Sequence, residues 1–136
     1  MNNGMMIDAS AIVAIMSCEP GFEGLQDRAE RSTKAYSSAI AIHEASLAIS
    51  RKRNVSVAVA EFDVRDFLSG LDATILPLDG ETATAAIKAH ARFGKGTGHP
   101  AQLNMGDCFA YALAKTKNMP LLFKGDDFGR TDIKRA

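Results

Sequence analysis

Carboxylates stand at five positions where chemistry could use them: Asp8, Glu44, Asp107 and the neighbours Asp126 and Asp127. Each has an ordinary explanation taken singly. Asp8 suits a helix cap, Asp107 the third position of a helix, Glu44 a solvated helix face, and Asp126-Asp127 a turn. Together they ask for more. Carboxylates gathered in one crevice repel one another, and the repulsion is relieved by protons or cations. An oxygen-only donor set selects hard ions such as Mg2+ or Mn2+. These ions bridge to phosphate oxygens and activate water, so the implied chemistry is metal-assisted phosphodiester hydrolysis.

Competing motifs fail on their spacing. His43-Glu44 opens an H-E-x-x-H pattern, but Leu47 stands where the second histidine is needed. The glycines of GKGTG, residues 94–98, do not fit a P-loop, and no serine sits in a G-x-S-x-G elbow. His43, His90 and His99 lack metal-ligand spacing. Cys18 and Cys108 are far apart and form no C-x-x-C pair, which fits a reducing cytoplasm better than a disulfide framework.

The acids share a crevice only if the intervening elements bring them together. Met5 to Ile7 reads as a short apolar strand ending at Asp8, with Ser10 able to cap the helix that follows. Pro20-Gly21 ends that helix, and a second runs from Phe22 to Arg31. Lys34 to Ser38 reads as a buried strand, and a helix from about Ile40 to Lys52 carries Glu44 in its first turns. Ser56 caps a helix over Val57 to Leu68, and Thr74 to Leu78 is a strand that Pro77 assigns to an edge or an end. Gly80 leads into a helix ending near Phe93, Gly94 to Pro100 is a loop, and Asn104 caps a helix to about Lys117. Pro120 opens a final strand, Leu121 to Phe123, and Gly125-Asp126-Asp127 is the turn after it. Strands alternating with helices predict an α/β fold, a mainly parallel sheet with helices on both faces. Ligands of such sheets bind at the carboxyl ends of the strands, where all five acids fall.

The chain has 136 residues, 46% hydrophobic and 24% charged, which fits one folded domain over 1–136. No apolar run is long enough to span a bilayer, and no signal peptide is expected. Sixteen basic and sixteen acidic residues balance overall but not locally. Residues 1–27 contain four acids and no Lys or Arg, whereas residues 88–136 carry nine bases against four acids. A basic segment suits a polyanionic partner, and Lys95, Lys124 and Arg130 could steer a nucleic-acid backbone.

Four blocks, MIDASAIVAI, AIHEASLAI, HPAQLNMGDCFAYALAK and PLLFKGDDFGRTDI, resemble the PIN-domain ribonucleases, specifically the VapC-type toxins of bacterial toxin–antitoxin modules. The resemblance covers almost the whole chain. It implies a three-layer α/β/α sandwich and Mg2+- or Mn2+-dependent endoribonuclease activity. It carries the metal-binding and catalytic roles to Asp8, Glu44, Asp107 and one acid of the turn, Asp126 being favoured over Asp127, with a supporting hydroxyl at Ser10. It further implies a homodimer, a cognate VapB-type antitoxin that inhibits at the acidic groove, and a structured RNA target such as a tRNA or an rRNA loop. Met1 to Gly4 extend past the usual start of the family, which leaves Met1, Met5 and Met6 as candidate initiators.

Two other classes share fragments of the pattern. A metal-dependent adhesion module has D-x-S-x-S after its first strand, but Ile12 replaces the second serine. A phosphoacceptor domain has a lysine after its last strand, as Lys124 is here, but needs adjacent acids after the first, where Ala9 stands.

Overall fold

The computed structural model describes residues 4–136; Met1 to Asn3, most of the expected N-terminal extension, lie outside the described residues. Strand β1 is Gly4–Ile7 and leads into α1, Ala9–Met16. Next come α2 (Phe22–Arg31), β2 (Lys34–Ser38), α3 (Ala39–Arg53) and α4 (Val57–Gly70). The chain continues through β3 (Thr74–Leu76), α5 (Gly80–Phe93), α6 (Met105–Thr116) and β4 (Leu121–Leu122). A 3-10 turn, Phe128–Arg130, follows the acidic turn.

The sheet is fully parallel in the order β3-β2-β1-β4. Alternation along the strands sorts the core into two halves. Met5, Ile7 and Leu122 face α1 to α4, whereas Met6, Leu121 and Phe123 face α5 and α6. This is the expected three-layer α/β/α sandwich. Among the described residues no helix is long and apolar enough to cross a membrane.

Several boundaries follow directly from local chemistry. Ser56 and Asn104 cap α4 and α6 by accepting from Val59 N–H and Asp107 N–H. Strand β3 lies at the sheet edge and stops at Leu76, because Pro77 has no N–H to continue a ladder. At the first helix the sequence offers two caps, Asp8 and Ser10. Asp8, not Ser10, is the N-cap of α1, and its carboxylate accepts from Ser10 N–H at 3.0 Å. The extended backbone at Asp8 (φ −79°, ψ 156°) suits a cap, and Ser10 already lies inside the helix.

The chain moves from β1 outward to β2 and β3, then returns to place β4 on the opposite side of β1. The strand order therefore reverses at β1. A crevice opens at such a reversal, at the carboxyl ends of the flanking strands. Asp8 follows β1 directly, and Lys124 lies two residues beyond β4.

Candidate active site

Asp8 is buried at the mouth of this crevice and is held by Ser10. The Ser10 hydroxyl donates to Asp8 Oδ2 at 2.6 Å and accepts from Lys124 N–H at 3.0 Å. One hydroxyl thus links the carboxylate after β1 to the backbone after β4. Ser10, the hydroxyl that the resemblance assigns a supporting role, is bonded directly to Asp8.

Glu44 comes from the second turn of α3, which Ser38 starts by accepting from Ala41 N–H. Its carboxyl is half-buried against the first turn of α6, in the space that a side chain on Gly106 would fill. Asp107 is the next residue. It forms a capping box with Asn104: Asp107 Oδ2 accepts from Asn104 N–H at 3.1 Å, and Asn104 Oδ1 accepts from Asp107 N–H at 2.8 Å. The structural and chemical readings of Asp8 and Asp107 are therefore compatible: Asp8 caps α1, Asp107 completes the capping box of Asn104, and both line the same cavity.

That cavity has a volume of about 370 Å3, and Asp8, Ser10, Glu19, Glu44, Asn104, Asp107 and Lys124 contribute to its wall. Three of its acids, Asp8, Glu44 and Asp107, hold their protons more tightly than in water. Burial raises Glu44 to about 7, helped by the charges of Asp8 and Asp107. Burial likewise raises Asp107 to about 6, against the Asn104 N–H and with the charges of Asp8 and Asp127. Asp8 is also raised, by burial, against the opposing bonds from Ser10. Burial is the main cause of all three shifts, with charge repulsion adding to it at Glu44 and Asp107.

Asp126 and Asp127 are both exposed on the turn after β4. Asp127 is the one whose charge is felt at Asp107. Of the bases expected to steer nucleic acid, Lys124 lines the cavity but is paired with Glu19 at 3.0 Å. Lys95 instead borders an apolar groove between α5 and α6, and Arg130 is exposed on the 3-10 turn.

The profile of the PIN domain matches residues 5–134. The chain belongs to the PIN-domain family. This PIN domain is 40% identical over 138 residues to a VapC ribonuclease of Rhizobium meliloti (strain 1021), covering 93% of the chain and 97% of the relative. It is 39% identical over 132 residues to ribonuclease VapC42 of Mycobacterium tuberculosis, covering 97% and 98%. Its relatives place it with the VapC-type members. Among solved structures, Mycobacterium tuberculosis VapC20, described as a sarcin–ricin loop cleaving toxin, superposes with a TM-score of 0.76. The match has 12% identity and covers 97% of this chain and 98% of that one. VapBC2 from Rickettsia felis, bound to a DNA fragment from its promoter, gives 0.70 at 14% identity, over 97% and 96%. At those identities the likeness establishes the shared fold.

A hard divalent ion fits the donor chemistry of this PIN domain. The acids around the cavity offer only oxygen, and their mutual repulsion is what a cation relieves. Among the described residues, no three His, Cys, Asp or Glu side chains stand close enough together to hold an ion by themselves. Two neighbours of the site escaped the sequence reading. Gly106 was invisible because its role is to be empty, and Glu19 because its partners Lys52 and Lys124 are far away in sequence. Only the closeness of Gly106 to Asp107 could have drawn notice.

Proposed function

We propose that this PIN domain is a metal-dependent endoribonuclease, the toxin of a VapBC-type toxin–antitoxin pair. The observation that carries the reading is the meeting of Asp8, Glu44 and Asp107 in one cavity at the reversal of strand order, in a chain related to VapC ribonucleases along almost its full length. Asp8 and Asp107 would hold Mg2+ or Mn2+ directly, with Glu44 and an acid of the 126–127 turn completing the site through water. The sequence favours Asp126 for that fourth place, while the electrostatic link to Asp107 favours Asp127.

When bound, the ion supplies charge neutralisation at the phosphate and lowers the pKa of a coordinated water. The protein groups set up the rest. Ser10 fixes the Asp8 carboxylate. Asn104 fixes Asp107. Glu44, half-buried beside Asp8 and Asp107, is placed to orient an attacking water or accept its proton. The reaction proposed is hydrolysis of RNA phosphodiester bonds, with a structured tRNA or rRNA as target. The VapBC structural neighbours support a cognate VapB-type antitoxin as partner; a homodimer as the working assembly and a cytoplasmic location belong to the same proposal.

The test is incubation of total bacterial RNA with wild type and Asp107→Asn, with Mg2+ or Mn2+ and then with EDTA. Discrete fragments with wild type plus metal alone are expected. Asparagine keeps an oxygen for the capping box, so Asp107→Asn should stay folded. Cleavage by that variant above about a tenth of wild type would remove Asp107 from the mechanism.

A further inference from the structure

The proposed hydrolysis leaves a charged cluster at the same cavity without a task. Among the described residues lining the cavity, Lys124 is the single base. Its ammonium is paired with Glu19 Oε1 at 3.0 Å, while Lys52 Nζ takes Glu19 Oε2 at 3.3 Å. Two ammonium groups share one carboxylate, so the trio keeps a net charge of +1 beside a concentration of acids. Hydrogen bonding from Lys124 is the foremost influence holding the Glu19 carboxyl below its usual range, which keeps it ionised at neutral pH.

Each member projects from a fixed point. Glu19 follows the end of α1, where Cys18 turns left-handed (φ 51°) and Glu19 N–H bonds to Ala14 C=O at 2.9 Å. Lys52 stands in the last turn of α3. The Lys124 backbone is tied through Ser10 to Asp8. The ammonium and the site carboxylate are thus mounted on one hydrogen-bonded frame. The Lys124 side chain is still 35% exposed, so a ligand can reach it.

A phosphodiester approaching a floor of carboxylates meets repulsion. A lysine paired with one of those floor acids would be neutralised and would compete with a cation for the same oxygens. Glu19 holds the ammonium away from the floor, and Lys52 prevents that pairing from cancelling the positive charge. We propose that Lys124 contacts an RNA phosphate at this cavity, and that Glu19, sharing its carboxylate with Lys52, is the positioning residue that holds it there. The assignment rests on the ribonuclease reading above.

The test separates binding from cleavage. In an Asp107→Asn background, a fluorescein-labelled single-stranded RNA of random sequence is titrated with protein in Mg2+ at several salt concentrations, and anisotropy is read. Adding Lys124→Met should weaken binding about tenfold and flatten the slope of log Kd against log salt by about 0.7, the value for one lost contact on a single strand. Lys124→Arg should retain both affinity and slope. Lys124→Gln provides a second neutral variant, and thermal melts confirm that each protein is folded. With Asp107 intact, Glu19→Gln leaves the lysines at +2, so RNA binding should not weaken while kcat falls about tenfold from misplacement.

Unchanged affinity and slope in folded Lys124→Met, or no RNA binding by the Asp107→Asn parent, overturns the proposal. So does a loss in Lys124→Met that Lys124→Arg fails to restore, since that would mark a purely structural clamp. If wild type cleaves no RNA yet Lys124→Met weakens binding with the stated slope change, the phosphate contact stands and the nuclease reading fails.

Discussion

Gly106, in the first turn of α6, presents bare backbone to the Glu44 carboxyl, and a methyl group there would lie inside the contact distance of both Glu44 oxygens. The bare backbone of Gly106 is what lets the Glu44 carboxyl pack against the first turn of α6.

Gly106→Ala therefore sets two effects against each other. Alanine favours a helix interior by about 1 kcal/mol over glycine. Displacing Glu44 should outweigh that gain, lowering Tm and RNA cleavage together. In a Glu44→Ala background the obstruction is gone, and the same substitution should raise Tm by a few degrees. Paired thermal melts of the four proteins check this. A Tm increase from Gly106→Ala in the presence of Glu44 would contradict the packing.

The titration of Glu44 and Asp107 gives a signed pH dependence. Both carboxyls are raised in the folded chain, to about 7 and about 6, above their unfolded values. Their contribution to stability is therefore fully present below the unfolded pKa, near 4 to 4.5, and is lost as pH rises to about 7. In EDTA, Glu44→Gln should raise Tm at neutral pH, with the gain vanishing at about pH 4. Added Mg2+ should stabilise wild type most at neutral and higher pH and release protons on binding. Melts across pH and calorimetry in two buffers of different ionisation enthalpy read both effects.

Ser10→Ala removes one hydroxyl with two duties. It frees Asp8 Oδ2 from its 2.6 Å partner and leaves Lys124 N–H without its acceptor. An unsatisfied donor in such a part-buried place costs about 1–3 kcal/mol. Lower denaturation midpoints and cleavage reduced about tenfold are expected, with recovery in Ser10→Thr, which restores the hydroxyl. Full activity in Ser10→Ala would show that the link is dispensable.

The two acids of the turn can be told apart by their reach. Asp127 raises Asp107 through its charge. Asp127→Asn should lower the Asp107 pKa in a carbon-detected NMR titration and reduce metal-dependent cleavage more than Asp126→Asn does. The opposite ranking of activities would return the fourth place to Asp126, as the sequence motif favours.

Much of the scaffold was legible because local chemistry controls it. Helix α2 and strand β2 lie at the bounds their patterns predict, Phe22–Arg31 and Lys34–Ser38. Asn104 and Ser56 cap where their side chains suit, and Pro77 ends an edge strand. The site was legible in part, since the parallel order brings Asp8, Glu44 and Asp107 to one edge. What spacing could not give was contact across the fold. The Gly106 void depends on how closely α3 approaches α6, and the Glu19–Lys124 pair on where α1 stops beside β4. Asp8 rather than Ser10 became the cap because strand and helix meet with no intervening loop, a junction that pattern alone places only to within a residue or two.

The bond from Lys124 N–H to Ser10 joins residues 114 apart, and β1 gains its second neighbour only when Leu121 and Leu122 pair with it. During synthesis the central strand therefore waits with one side unpaired until nearly the whole chain has emerged. Contacts of such long range form late, because the intervening loop must close before they reward it. The carboxylate crevice is then among the last parts of the molecule to take shape, and a truncated or stalled chain carries Asp8 and Glu44 without the geometry that lets them act.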